Sequence, residues 1–173
     1  DHPDVVRNAL RLKKIGNELM TVVGGREIHP INLRVGGFYK TPTKKQLLAM
    51  RDDLLWACDA AAALTKLVAT FEFPELNRDY EFVAMRHPDE YPLWEGRLVS
   101  NKGLDIAIED FFGHFEEEHV EHSTSLQSFV KVRGSYFVGP LARFNLNFDK
   151  LTQRCQELAR EHGFTLSPDS MRV

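Results

Sequence analysis

The sequence predicts an α+β fold with helices at both ends and a small, mostly antiparallel sheet between them. Three observations predict it. Apolar residues recur at helical spacing near the N-terminus and again through 43–71. From Tyr80 the texture changes to short runs rich in β-branched and aromatic residues, separated by turn signals. A last helical pattern then follows Asp149. With 173 residues, 43% hydrophobic and 27% charged, the chain has the balance of a globular protein and the size of one domain or of a piece of a larger one.

Pro3 suits a first helical turn, and Val5, Val6, Leu10, Leu12, Ile15, Leu19 and Met20 follow at helical spacing. Gly24-Gly25 ends that helix, because glycine accepts the left-handed conformation of a C-cap. An extended or looped stretch, Arg26 to Tyr39, comes next. Thr43 and Gln46 form a capping box that opens a long helix running towards Phe71, with Pro74 as its stop. The run Ala60 to Ala63 lets another helix approach closely. Tyr80–Arg86 and Trp94–Ser100 read as strands, with a turn at Asn101-Lys102-Gly103. Leu126–Val132 and Tyr136–Val138 read as a hairpin around Arg133-Gly134-Ser135. Asp149 is the expected cap of the final helix, with Leu151, Cys155, Leu158 and Ala159 on one face and its end at Gly163. The expected organisation is thus one domain or central segment, helical over 1–75, strand-rich over 76–148, and helical over 149–173.

Several function classes lose support at this level. Twenty-two basic against 25 acidic residues, net −3, give no electrostatic case for nucleic acid or an acidic membrane. No apolar run approaches the ~20 residues that span a bilayer. Asp1 to Asn8 carry no signal-peptide pattern. The chain opens on Asp1 with a helical pattern already under way, as expected of a processed chain or a segment of a longer one. Two isolated cysteines, Cys58 and Cys155, support neither a disulfide framework nor a cysteine zinc site, and a reducing, cytoplasmic setting is expected. No glycine-rich nucleotide loop, nucleophile elbow or His-Glu-x-x-His is present.

Two constellations remain. In 114–122, Glu116 and His119 have the Glu-x-x-His spacing of di-iron helical bundles, with His122 nearby. Such a site needs a second Glu-x-x-His and further carboxylates, so the stretch reads instead as a solvated, acidic surface helix. The segment Gly24–Gly37 is more specific. It packs four glycines, one proline, one histidine and two arginines into fourteen residues. Paired glycines permit positive φ and close backbone approach. From the residues alone it is a tight loop between two helices with a hydrogen-bonded His29.

Gly25-Arg26-x-x-His29-Pro30 followed by Val35-Gly36-Gly37 resembles the histidine-proline and double-glycine segment of nickel–iron hydrogenase large subunits. His122-Ser-Thr-Ser-Leu126 and Gly134–Asn147 resemble a later stretch of the cytoplasmic, multisubunit branch of that family, and Arg11–Glu18 also fits. The resemblance spans nearly the whole chain. It implies a parent subunit, larger and helix-rich, that oxidises hydrogen reversibly to protons and electrons at a nickel–iron centre carrying cyanide and carbon monoxide on iron. Two Cys-x-x-Cys pairs, one near each end of that subunit, would hold the centre, and electrons would leave through an iron–sulfur small subunit and further electron-transfer subunits. His29 matches a histidine at that interface, with Arg26, Gly36 and Gly37 shaping its loop. Both cysteine pairs are absent here, so the segment itself is expected to bind no nickel–iron centre and to be inactive. The alternatives are a cysteine-free relative, structural or quinone-linked, in a respiratory complex, and a freestanding binding module using the acidic stretch. A piece of a larger subunit should also expose apolar surface that the rest of the parent covers.

Overall fold

A computed structural model describes residues 2–72 and 79–164. The chain divides into two compact units, Asp1–Phe71 and Glu72–Val173. The architecture is α+β, as the sequence predicts.

In the first unit, helix α1 (Pro3–Gly24) has its proline at the start and ends on Gly25, whose φ of 88° is the left-handed cap expected of a glycine. A minimal hairpin follows, β1 (Leu33–Arg34) against β2 (Gly37–Phe38). The Thr43–Gln46 capping box is present in both directions and opens α2 (Lys44–Ala49). The expected long helix is broken once, at the buried Met50 (φ −90°, ψ −5°), and resumes as α3 (Arg51–Val68). Pro74, its expected stop, lies outside the described residues. Early residues of α1 lie against late residues of α3, so the two run antiparallel. Val5, Ala9 and Leu12 face Ala60, Ala63 and Leu67 around a cavity of about 80 Å³. Arg11 closes the other end, donating to Asp53 at 2.9 Å with its guanidinium 3.9 Å above the Trp56 ring.

The second unit is built on a three-stranded antiparallel sheet, β3 (Val83–Arg86), β4 (Arg97–Ser100) and β5 (Asp105–Ile106), in that order. Gly103, at φ 84°, makes the expected turn after β4. A short helix, α4 (Phe111–His114), leads into β6 (Phe115–Glu118), which pairs antiparallel with β7 (Gln127–Val130). Val83, Leu104, Ile106, Phe115 and Val130 form one core, with Phe111 stacked on Phe115 at 4.6 Å. Helix α5 (Pro140–Leu146) packs on β3, and α6 (Gln153–Glu161) follows a turn at Phe148–Lys150.

Four expectations are corrected here. Residues 115–118 are a strand, because pairing Phe115 with Val130 buries both, and a helix would stack Glu117 over Glu121 as like charges. The partner of 127–130 is therefore β6, not 136–138. Val130 and Gly134 do exchange two 2.9 Å backbone bonds, but Phe137 then leaves to bridge Phe82, donating to the Glu81 carbonyl and packing among Tyr80 and Phe82. Thr152, not Asp149, caps the last helix, its hydroxyl accepting from the Cys155 amide. Cys155 itself faces solvent, while Ala159 is buried. The sequence reading did not anticipate α5 at all, although Pro140 after Gly139 is a helix-start signal.

Asp149 has a different partner. Both its oxygens take Arg86 nitrogens, at 3.0 and 2.8 Å, while the same guanidinium donates to the Leu146 carbonyl at the end of α5. The Arg86 hydrogen bond holds the Asp149 carboxyl below its ordinary value of 3.8. A depressed carboxylate stabilises the fold fully above that ordinary value and loses its contribution as pH falls through the native one. Denaturant titrations should therefore show Asp149→Asn less stable at pH 7, by about 1 kcal/mol at this half-exposed pair. The difference from the parent should shrink below pH 4.

Candidate functional site: a braced histidine loop

Gly24 to Tyr39 form the most constrained loop among the described residues of the first unit. Its path begins at the Gly24 carbonyl, which accepts from both Ile31 (2.8 Å) and Asn32 (3.0 Å). The Asn32 side chain also donates to the Val23 carbonyl at 3.1 Å, and its own carbonyl accepts the Tyr39 amide at 2.7 Å. A Cβ on Gly24 would lie 2.8 Å from Pro30, and one on Gly25 would lie 2.8 Å from Ile31. The close approach that glycine permits thus falls at the first pair. At Gly36 and Gly37 a Cβ would meet nothing within 4 Å; Gly36 is needed for its φ of 79° in the β1–β2 turn.

His29 stands at the exposed apex with φ 53°, a left-handed conformation uncommon for a side-chain-bearing residue. Arg26 reaches across and donates from Nε to the His29 carbonyl at 2.5 Å. No hydrogen bond to the imidazole is found among the described residues, contrary to the hydrogen-bonded histidine expected from composition. The loop's other apolar side chains also face outward. Ile28, Ile31, Leu33, Phe38 and Tyr39 are more than half exposed and Val35 is fully exposed, with Arg34 over the Tyr39 ring at 5.6 Å. The result is an apolar and cationic loop, braced by its own hydrogen bonds, with an exposed imidazole. It has the makings of a contact surface rather than of a pocket for a reaction.

The second cluster does not assemble. Glu116 lies on a strand, and His119 and His122 lie beyond its end, so the shared helical face that would bring Glu116 and His119 together is absent. Among the described residues, no group of three or more His, Cys, Asp or Glu side chains could hold a metal. The two cysteines belong to different units and both are exposed. These residues do not fit the four-thiolate set of a nickel–iron centre. A groove of about 390 Å³ beside β3 is lined by Val83, Met85, Leu93, Phe111 and Tyr136, with Arg143 beside them. It holds no acid–base pair, and the Tyr136 hydroxyl is already bonded to Ser128.

Known proteins are similar to this chain in sequence, and one solved structure is similar to it in fold. The alpha subunit of sulfhydrogenase 1 from Pyrococcus furiosus is 31% identical over 152 residues, covering 87% of this chain and 35% of that subunit. The alpha subunit of sulfhydrogenase 2 from the same organism is 27% identical over 161 residues, covering 93% and 36%. Subunit beta of the NAD-reducing hydrogenase HoxS of Cupriavidus necator is 26% identical, covering 95% and 38%. The chain is similar to hydrogenase subunits. It spans a little over a third of the length of these relatives. No family model matches it. A crystal structure of an NAD+-reducing [NiFe]-hydrogenase in its H2-reduced state superposes with a TM-score of 0.76 at 22% identity, over 98% of this chain and 42% of that one. The fold is therefore that of a portion of a hydrogenase subunit. No helix among the described residues is long and apolar enough to cross a membrane.

The two glycine pairs should respond differently to alanine. Gly25→Ala combines a left-handed backbone with the Ile31 clash and is expected to cost about 2–3 kcal/mol. Gly36→Ala meets only the backbone penalty, about 1 kcal/mol. Chemical denaturation followed by circular dichroism measures both, and the order of the two costs is the check.

Proposed function

We propose that this chain is the central part of a nickel–iron hydrogenase large subunit of the cytoplasmic, multisubunit branch. In the intact complex the reaction is H2 to two protons and two electrons, in either direction. The observation that carries the reading is the 31% identity to a sulfhydrogenase alpha subunit across 87% of the chain. The resemblance of the Gly-Arg-x-x-His-Pro and Val-Gly-Gly loop to that of the family supports it. The metal centre, with its cyanide and carbon monoxide ligands, belongs in this reading to cysteine pairs outside these 173 residues. The chain by itself is read as inactive and free of that centre.

What this chain contributes is a surface. His29, with Arg26, Gly36 and Gly37 shaping its loop, is read as meeting an iron–sulfur small subunit where electrons leave, as a tuning or hydrogen-bonding group and not as a metal ligand. Two features support that reading. The imidazole is exposed, and the apolar side chains around it are turned to solvent rather than into a core. Elsewhere in the first unit Val6, Leu10, Leu48 and Leu55 are also more than half exposed. Ile15, Gly24 and Met50 are the buried residues among those described there. Such a surface suits a piece that other parts of a larger subunit cover.

Two measurements test the proposal. The parent gene should encode one Cys-x-x-Cys pair before this segment and one after it; flanks without those cysteines would point instead to the metal-free respiratory relative. In the assembled complex, His29→Ala should lower hydrogen-dependent reduction of an external dye on the order of tenfold, the usual effect of removing a group that tunes a metal site from outside its ligand set. Dye reduction at the parent rate would remove His29 from the electron exit.

A further inference from the structure

Two features of His29 work against its backbone conformation. A residue carrying a Cβ is strained at φ 53°, by about 1–3 kcal/mol. It also precedes Pro30, and a proline pushes the preceding residue towards an extended conformation. Neighbouring contacts must hold it there. On one side Gly24 accepts from Ile31 and Asn32, which fixes the chain after the proline. At the strained residue itself the holding contact is Arg26, whose Nε meets the His29 carbonyl at 2.5 Å. This is a charge-assisted bond, and no other donor to that carbonyl is found among the described residues.

We infer that Arg26 is a positioning residue: its guanidinium locks the left-handed turn at His29 and so fixes the direction in which its side chain leaves the loop. A flexible apex would point the His29 Cα–Cβ bond in several directions. The lock selects one before any partner arrives, which lowers the ordering cost of the contact. The functional part of this inference rests on the proposed role of His29; the backbone part does not.

The experiment uses the full-length subunit assembled with its partner, carrying Arg26→Met, Arg26→Lys, His29→Gly, His29→Ala, or Arg26→Met together with His29→Gly. The first readout is amide hydrogen exchange at Ile31 and Asn32. Arg26→Met should speed it about tenfold, the equivalent of one charge-assisted bond. Arg26→Lys, which keeps a cationic donor, should change it less than about threefold. Glycine accepts positive φ freely, so Arg26→Met made in the His29→Gly background should also change it less than about threefold. Equal acceleration in both backgrounds would overturn the lock.

The second readout is the ratio of hydrogen-dependent dye reduction to hydrogen–deuterium exchange. The ratio should fall in Arg26→Met as it falls in His29→Ala, and recover in Arg26→Lys. A ratio lowered by His29→Ala but not by Arg26→Met would overturn the positioning role. A ratio unmoved by His29→Ala would remove the proposed electron-exit role, and amide exchange would still decide whether Arg26 holds the turn.

Discussion

Glu81 is almost out of solvent, at 5% exposure, and an unpaired carboxylate there would be costly. Its environment explains much of the second unit. Ser100, at the end of β4, donates to it at 2.7 Å, and Arg133 donates at 2.8 Å from the turn after β7. The same arginine nitrogen reaches the Lys102 carbonyl, and the Ser100 hydroxyl also accepts the Leu104 amide. One carboxylate thereby ties the β4–β5 turn to the turn that closes β7. The Glu81 backbone carbonyl accepts the Phe137 amide, which draws the chain away from β7 and onto the aromatic trio of Tyr80, Phe82 and Phe137. The ion pair adds little net stability over apolar side chains of the same size once desolvation is counted, but removing one partner would leave a buried charge uncompensated.

The first unit is organised by geometry at glycine rather than by a buried charge. With no Cβ at residue 24, Pro30 lies against the end of α1, and the Gly24 carbonyl is free to bind two amides of the returning chain. A helix end usually leaves its last carbonyls to water or to a cap. Here one of them anchors a loop that is otherwise all surface. The base of the loop is thus held at Gly24, while His29 at its tip stays exposed.

How much of this could be read from the sequence depends on whether the signal was local. The α1 end at Gly24-Gly25, the Thr43 capping box and the β4–β5 turn at Gly103 were legible because each is set within a few residues. The strand at 115–118 was not. Its glutamates match an acidic helix, and only the distant pairing of Phe115 with Val130 overrides that pattern. Asp149 was misread for a related reason. It sits where a cap belongs, but Arg86, 63 residues away, claims both oxygens and leaves Thr152 to do the capping. In the Gly24–Gly37 loop the positive φ and close approach of the paired glycines were legible, but which pair carries the close approach was not, because the clash at Gly24 depends on where Pro30 returns.

The loop also shows how bracing and exposure are divided within one short stretch of chain. Contact residues held in a fixed shape bind with less entropic loss, but the holding contacts must then lie within the segment and not in the partner. That is the arrangement here. The brace of His29 runs through Arg26, Gly24 and Asn32, all within nine residues of one another, while the apolar side chains it presents remain uncovered. A loop whose shape depended on its partner would show the reverse, with apolar side chains folded inward and the backbone held by few bonds of its own. Local bracing is here joined to outward apolar chemistry, a combination that lowers the ordering cost wherever such a loop meets another surface.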